Sequence, residues 1–271
     1  MDWRRFPLLL AAVMTAICYG PILRGMFGQW MTDEDMGHGI VVPLVIGWVI
    51  WRERDRWGAL ELRPSWWGFL LLAAGAGLQF VAALGVGLFV GSVGFLVSAA
   101  GLVVCAGGWP LLRAWTFPFV LALFMLPKLA IVYNQVTLPL QLTASRMAAW
   151  MLAVTGFGVI RDGNILEVAG HRIMVAEACN GIRYLIPLAF MAVVVAYLRD
   201  PRPWMRVALF ALAIPLAILG NAVRVAVSGA WPAIAEGTLH AIAGWIIFAC
   251  CLGALLAMRR LIDLMSVRLY A

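Results

Sequence analysis

The stretch WWGFLLLAAGAGLQFVAAL, residues 66–84, runs on through Gly85 and Val86 into GLFVGSVGFLVSAAGLVVCAG, residues 87–107, without a single Asp, Glu, Lys or Arg. About 20 predominantly apolar residues suffice to cross about 30 Å of hydrocarbon. This uncharged stretch therefore holds two crossings. Reading outward from it, apolar runs between charges predict further spans near 6–23, 38–51, 114–132, 182–198, 204–220 and 240–258. Pro118, Pro187 and Pro215 fall inside three of them, which membrane helices tolerate where neighbours re-satisfy the freed backbone groups.

Composition agrees with that reading. Hydrophobic residues make up 64% of the 271, charged residues only 12%, and the mean hydropathy is +0.96. A soluble domain is about half apolar and about one-quarter charged. Too few polar side chains remain to cover a water-facing surface, so lipid is the expected solvent. The run from Phe6 to Leu23 follows Arg4 and Arg5 as a signal peptide would, but no small-residue cleavage site follows it, and it reads as a retained span. The expected fold is an all-α integral membrane protein, one polytopic domain over 1–271, with about eight transmembrane helices.

Formal charge is +7, carried almost wholly by arginine, with Lys128 the lone lysine. The basic residues sit in short loops between apolar runs, with no basic stripe of interleaved polar residues, which argues against nucleic acid. Arg4, Arg5, Arg52, Arg54, Arg56, Arg63, Arg113, Arg199, Arg202, Arg206, Arg259, Arg260 and Arg268 fall on one side and hold the majority. The positive-inside rule then predicts both termini in the cytoplasm and the acidic cluster Asp33-Glu34-Asp35 outside.

Residues 134–181 form the one long interval outside the predicted spans. Residues 136–157, interrupted by Gln141, Ser145 and Arg146, read as a small extracytoplasmic helix lying along the interface. Ile165–Val175, with β-branched residues around Ala169-Gly170, reads as a small hairpin.

Polar groups at membrane depth are costly and are functional candidates by default. Three clusters qualify. In Glu177-Ala178-Cys179-Asn180-Gly181-Ile182-Arg183, the cysteine precedes the sixth span, where the positive end of a helix and Arg183, four residues on, both favour a thiolate. The plainer reading is an inert buried thiol beside a snorkelling arginine, with Glu177 and Arg183 as a structural ion pair. Asn221 and Arg224, three apart at the end of the seventh span, share a helix face. There an arginine needs an anion, a carbonyl or water to compensate it, or serves only as an interfacial anchor. His240 opens the eighth span, as an acid/base group or as a helix cap. The other four cysteines, Cys18, Cys105, Cys250 and Cys251, lie in apolar runs, and no zinc spacing or disulfide framework is present.

Consecutive spans joined by short connections pack as neighbours. Cys179, Arg224 and His240 are thus expected to meet at the outer membrane face. A sulfur nucleophile, a base to activate it and a cation for the developing oxyanion are what acyl transfer needs. A metal centre is disfavoured because one cysteine and one histidine lack further ligands. A small transporter or lipid-handling protein with an outer-face polar site is the main alternative, although no internal repeat supports it. A non-enzymatic assembly subunit is a third.

Glu-Ala-Cys-Asn-Gly-Ile-Arg, Asn-Ala-Val-Arg-Val, the isolated His240 and the segment Trp30 to Leu44, with its acidic cluster, His38-Gly39 and Val42-Pro43, resemble in order and spacing the exosortase/archaeosortase family. The resemblance covers residues 30 to 258. It implies an integral-membrane cysteine protease or transpeptidase of the plasma (inner) membrane, active on the extracytoplasmic side without a cofactor. Its partners would be secreted proteins ending in a Pro-Glu-Pro-like motif, a hydrophobic span and a basic end, with an amine acceptor if the product is transferred. Carried onto this sequence, Cys179 is the nucleophile, Arg224 steadies the oxyanion and His240 is the acid/base. Glu177, Asn180, Arg183, Asn221 and His38 would support the site or position substrate. Asn180 stands where serine is common in the family, and the C-terminal domain fused in some relatives is not expected, the sequence ending soon after the eighth predicted span.

Overall fold

In the computed structural model, residues 6–175, 181–200, 202–235 and 237–269 are described. The chain divides into two compact units, Met1–Leu129 and Ala130–Ala271.

The first unit begins with α1 (Phe6–Cys18) and α2 (Gly20–Thr32), bent by 61° at a break where Pro21 enters the first turn of α2. A 3₁₀ turn over Gly37–Ile40 leads into α3 (Val41–Arg52), then the short α4 (Arg54–Gly58). The uncharged stretch that decides the fold forms α5 (Trp67–Val81) and α6 (Leu88–Ala114), joined by a π-turn over Ala82–Val86. These two helices approach closely because glycines face each other. A methyl added at Gly75 would meet the Gly94 carbonyl oxygen at 2.6 Å, and one at Gly101 would meet the Gly68 carbonyl oxygen at 2.8 Å. Hydrophobic association gains nothing in lipid, so small residues that let backbones touch supply the attraction. Tyr19 Oη hydrogen-bonds Ser98 Oγ at 3.0 Å, tying the first helix pair to α6. The unit closes with α7 (Thr116–Ala122) and a 3₁₀ turn over Leu123–Met125.

The second unit opens with α8 (Ala130–Val154), followed by β1 (Val159–Asp162), β2 (Ile165–Val168) and β3 (His171–Met174) in an antiparallel meander ordered β1-β2-β3. Leu166, Val168 and Val175 bury themselves against Ala144, Ala148 and Leu152 of α8 and against Val225 and Ala226. Three long helices follow: α9 (Ile182–Arg199), α10 (Pro203–Ala230) and α11 (Gly237–Leu269).

Among the described residues, five helices are long and apolar enough to cross a membrane, or up to seven if each of two bent pairs counts as one span. Their flanks present large apolar side chains outward, Phe69, Phe80, Leu84, Val207 and Trp245 among them. The expected count of eight departs from this at two places. The second predicted span is only the shorter helix Gly37–Arg52. The fifth, expected over 114–132, ends as helix at Met125, and 130–132 belong to the next helix. That next helix is not the small segment over 136–157 that was expected. It runs 25 residues as α8, with Pro139 inside it and Gln141 and Ser145 buried rather than breaking it. Ser145 Oγ donates to the Gly163 carbonyl at 2.9 Å, and Asn164 Nδ2 donates to Gln141 Oε1 at 3.2 Å, so the polar residues that look like interruptions hold the sheet. The sheet also has a strand, β1, beyond the two that the hairpin reading supplies.

Candidate active site

α10 is the middle element of the candidate site. Gly220, Asn221, Arg224 and Ser228 recur at three- and four-residue steps and are all buried, forming one face with Ala213 and Ala217 below them. The small residues let neighbours close in: a methyl added at Gly220 would collide with Cys251 Sγ of α11. The sequence places Arg224 at the outer end of a span over 204–220. The structure continues that helix to Ala230, so Arg224 lies within it and is the largest fully buried side chain, 2% exposed.

On α9, Gly181 is the N-cap at φ 86°, ψ −9°, a left-handed conformation that glycine adopts without cost. Its backbone rests on Asn221, where an added Cβ would lie 3.3 Å from the Asn221 Cβ. The Gly181 carbonyl accepts from the amides of Tyr184 and Leu185, both at 3.0 Å, starting the helix at once. Tyr184, on that first turn, is buried with its ring 5.6 Å from Arg224 Cζ. A guanidinium over an aromatic face in a desolvated place gains about 2 kcal/mol.

On α11, His240 faces the same arginine. Arg224 Nη2 lies 2.5 Å from His240 Nε2, and His240 Nδ1 lies 3.1 Å from the Ile234 carbonyl oxygen. A guanidinium can only donate, so Nε2 accepts and the ring proton sits on Nδ1, which donates to Ile234. The imidazole is thus fixed from both edges as one neutral tautomer. Gly244, one turn further on, completes the fit. A Cβ there would stand 3.1 Å from Tyr184 Oη and 3.6 Å from Arg224 Nη2.

Arg224 Nε and Nη1 are buried without a hydrogen-bond partner among the described residues. A buried charge with donors unspent costs several kcal/mol. Each of these N–H donors can take an oxygen acceptor, such as a developing oxyanion, arriving from outside.

Among the predicted site residues, then, Arg224 and His240 touch, and Asn221 shares their face beside Gly181. Arg183 is half-buried on the first turn of α9. Glu177, Cys179 and Asn180 lie outside the described residues. His38 belongs to the first unit, where its Nε2–H donates to the Phe124 carbonyl at 2.9 Å, next to Trp30 Nε1–H donating to Met125 at 3.1 Å. Nearby, Lys128 bridges Asp33 at 2.7 Å and Asp35 at 3.0 Å. Those bonds give the acidic cluster and His38 a structural task, fastening the 30–40 segment to 124–128. Tyr184 and Gly244 are the residues that sequence reasoning misses. An aromatic directly after Arg183 was the one available sign of the first, and nothing in the sequence marks the second.

A family model described as transmembrane exosortase (Exosortase_EpsH) matches residues 30–257, most of the chain, including every candidate position. The chain belongs to the transmembrane exosortase family. The exosortase match begins at Trp30, whose indole caps the Met125 carbonyl, and ends within α11 beyond His240. Membership supports a membrane protease or transpeptidase role for a multi-pass protein. No curated protein and no solved structure matches the chain.

Proposed function

We propose that this exosortase is a membrane cysteine endopeptidase or transpeptidase that cleaves C-terminal sorting tails from secreted proteins at the outer face of the plasma membrane, with both termini in the cytoplasm. The observation that carries the reading is the contact of buried Arg224 with half-buried His240, with two guanidinium nitrogens unspent among the described residues.

Cys179 loses its proton to His240 Nε2, and the thiolate attacks the scissile carbonyl carbon. The carbonyl electron pair moves to oxygen, and Arg224 holds that oxyanion through the donors not used on His240. Nε2 is free to take that proton because Arg224 Nη2 releases it as the substrate carbonyl approaches, before the thiolate attacks. Ile234 keeps the ring oriented through Nδ1, the part an acidic residue plays in other triads. Collapse of the tetrahedral intermediate expels the amine of the tail, which takes the proton from His240, and leaves a thioester on Cys179. Water or an acceptor amine then attacks the thioester, and its proton passes back through His240. Asn221 positions the turn at Gly181 that precedes α9, and Glu177, Asn180 and Arg183 flank the nucleophile in sequence.

The test is to follow the size of a secreted protein with a sorting tail, from the same genome, in cells carrying Cys179→Ala. Loss of trimming with normal membrane expression is the expected result. Unchanged trimming would return the chain to the transporter or assembly-subunit readings.

A further inference from the structure

The outer strand of the sheet between α8 and α9 has a specific geometry. Val168 and His171 flank a two-residue turn, Ala169-Gly170, in which both central φ angles are positive, 51° and 83°. Such a turn makes its flanking residues exchange hydrogen bonds, and bonding pairs recur every second residue from there. The Val175 amide donating to the Asn164 carbonyl at 2.8 Å fixes the same phase at the far end. In β3, therefore, His171 and Ile173 bond inward to β2, while the N–H and C=O groups of Arg172 and Met174 point away from the sheet.

Among the described residues β3 pairs with β2 alone. The edge strand carries no proline, and Met174 is 65% exposed. Two outward N–H and C=O pairs are a template for another extended backbone. The strand is also rigidly seated. A methyl added at Gly229 of α10 would touch Leu152, Val168 and Ile173, so the sheet lies on α10 little more than a turn beyond Arg224. In the chain, β3 ends five residues before Cys179.

We propose that the free edge of β3 is the docking strand for the substrate, which adds to it as an extended fourth strand, pairing with the backbone of Arg172 and Met174 and so leading its scissile bond to the thiol. This rests on the peptidase reading and adds to it: the substrate segment is unfolded and extended, and it is recognised partly through its main chain. Side-chain identity then matters mainly at alternate positions, those facing the protein.

The test uses the full-length protein in detergent and two reagents with related warheads. One is chloroacetamide. The other is a mixed-sequence hexapeptidyl chloromethyl ketone library, and peptide mapping locates the thioether at Cys179. Docking accelerates the peptidyl reagent over chloroacetamide by more than the ratio of their rates with free cysteine. N-methylation at alternate peptide amides, with the protein unaltered, is expected to abolish that acceleration. Met174→Pro, which removes one outward donor at an edge that tolerates proline, is expected to lower it about tenfold, the net worth of a backbone hydrogen bond. Met174→Ala keeps it, and chloroacetamide labelling stays unchanged in both variants. A rate ratio at a reactive Cys179 no greater than with free cysteine overturns the docking strand and leaves the peptidase reading standing. So does acceleration that survives N-methylation at every position. A Met174→Pro protein that passes from dimer to monomer assigns the edge to a second copy of the chain, which also overturns it. Failure of both reagents to label Cys179 strikes the peptidase reading itself.

Discussion

Arg224 spends one donor on His240 and, among the described residues, keeps Nε and Nη1 buried and unspent, so the worth of this side chain lies in what it has not yet bonded. Replacing it with alanine is expected to lower tail trimming by about 100- to 1,000-fold, as losing an oxyanion donor does elsewhere. Lysine should restore little, because a compact ammonium lacks the planar spread of donors with which the guanidinium reaches both His240 and an oxyanion. Trimming rates of a tailed reporter at matched expression measure both, and near-normal turnover in Arg224→Ala would remove its role. Gly244 makes a subtler case. The methyl in Gly244→Ala meets Tyr184 Oη and pushes towards Arg224 Nη2, so turnover should drop by about tenfold or more, since small misplacements of catalytic groups are expensive. Unchanged melting with reduced turnover distinguishes this from a general packing defect. Arg224 and His240 were legible in the sequence because polar groups beside hydrocarbon stand out. Tyr184 and Gly244 were not, because an aromatic and a glycine in an apolar helix look like packing until their neighbours are known.

At the scale of elements, α9, α10 and α11 are fastened at the end opposite Arg224 and His240. Asp200, just past α9 and almost fully buried, accepts from Arg202 Nη2 at 2.7 Å and faces Arg259 Nη2 at 3.5 Å, while Arg202 and Arg259 both reach Asp263 of α11. The hydrogen bond from Arg202, chiefly, holds the Asp200 carboxyl down at about 2, against 3.8 for a free one. A depressed carboxylate contributes stability that is complete above its unfolded value and is lost as pH falls through the folded one. The staple should therefore hold at neutral pH and weaken between about pH 4 and pH 2, by on the order of 1–2 kcal/mol given the partial exposure of Arg202. Thermal melts in detergent across that range check it. Asp200→Asn should melt lower at pH 7 and show a smaller acid loss, and an unaltered acid limb would dismiss the account. In the first unit, Gly75→Leu forces a side chain against the Gly94 carbonyl where α5 and α6 touch. Overpacking of that kind costs about 1–3 kcal/mol, readable as a lower melting temperature.

Taken as a whole, the molecule was most legible where chemistry was most uniform. The uncharged stretch over 66–107 divides into α5 and α6 as its length requires, and α9, α10 and α11 lie over the last three apolar runs. Hydropathy failed where backbone geometry decides: the bend before Pro21, the interruption after Met125, and α8, whose buried Gln141 and Ser145 hold the sheet instead of ending the helix. Gly37–Arg52 is the pivot for topology. At 1.5 Å per residue it measures about 24 Å, short of the usual hydrocarbon thickness. Added to seven spans it makes an even number and puts both ends of the chain on one side, whereas seven alone separates them. A fluorescent reporter that matures only in the cytoplasm should glow when fused after Met265 and stay dark when inserted at Gly163. Fluorescence from the Gly163 insertion would reverse the orientation proposed here.

Ala169 is the non-glycine described residue with positive φ, at 51°, and it sits beside Gly170 in the link between β2 and β3. Mirror-image turns favour asparagine followed by glycine, and alanine is held there against its preference. The ribbon has been left looser than its backbone allows. Ala169→Asn should firm it by a few tenths of a kilocalorie or more, and anyone seeking a sturdier preparation for crystals or cryo-microscopy has in that one codon a place to begin.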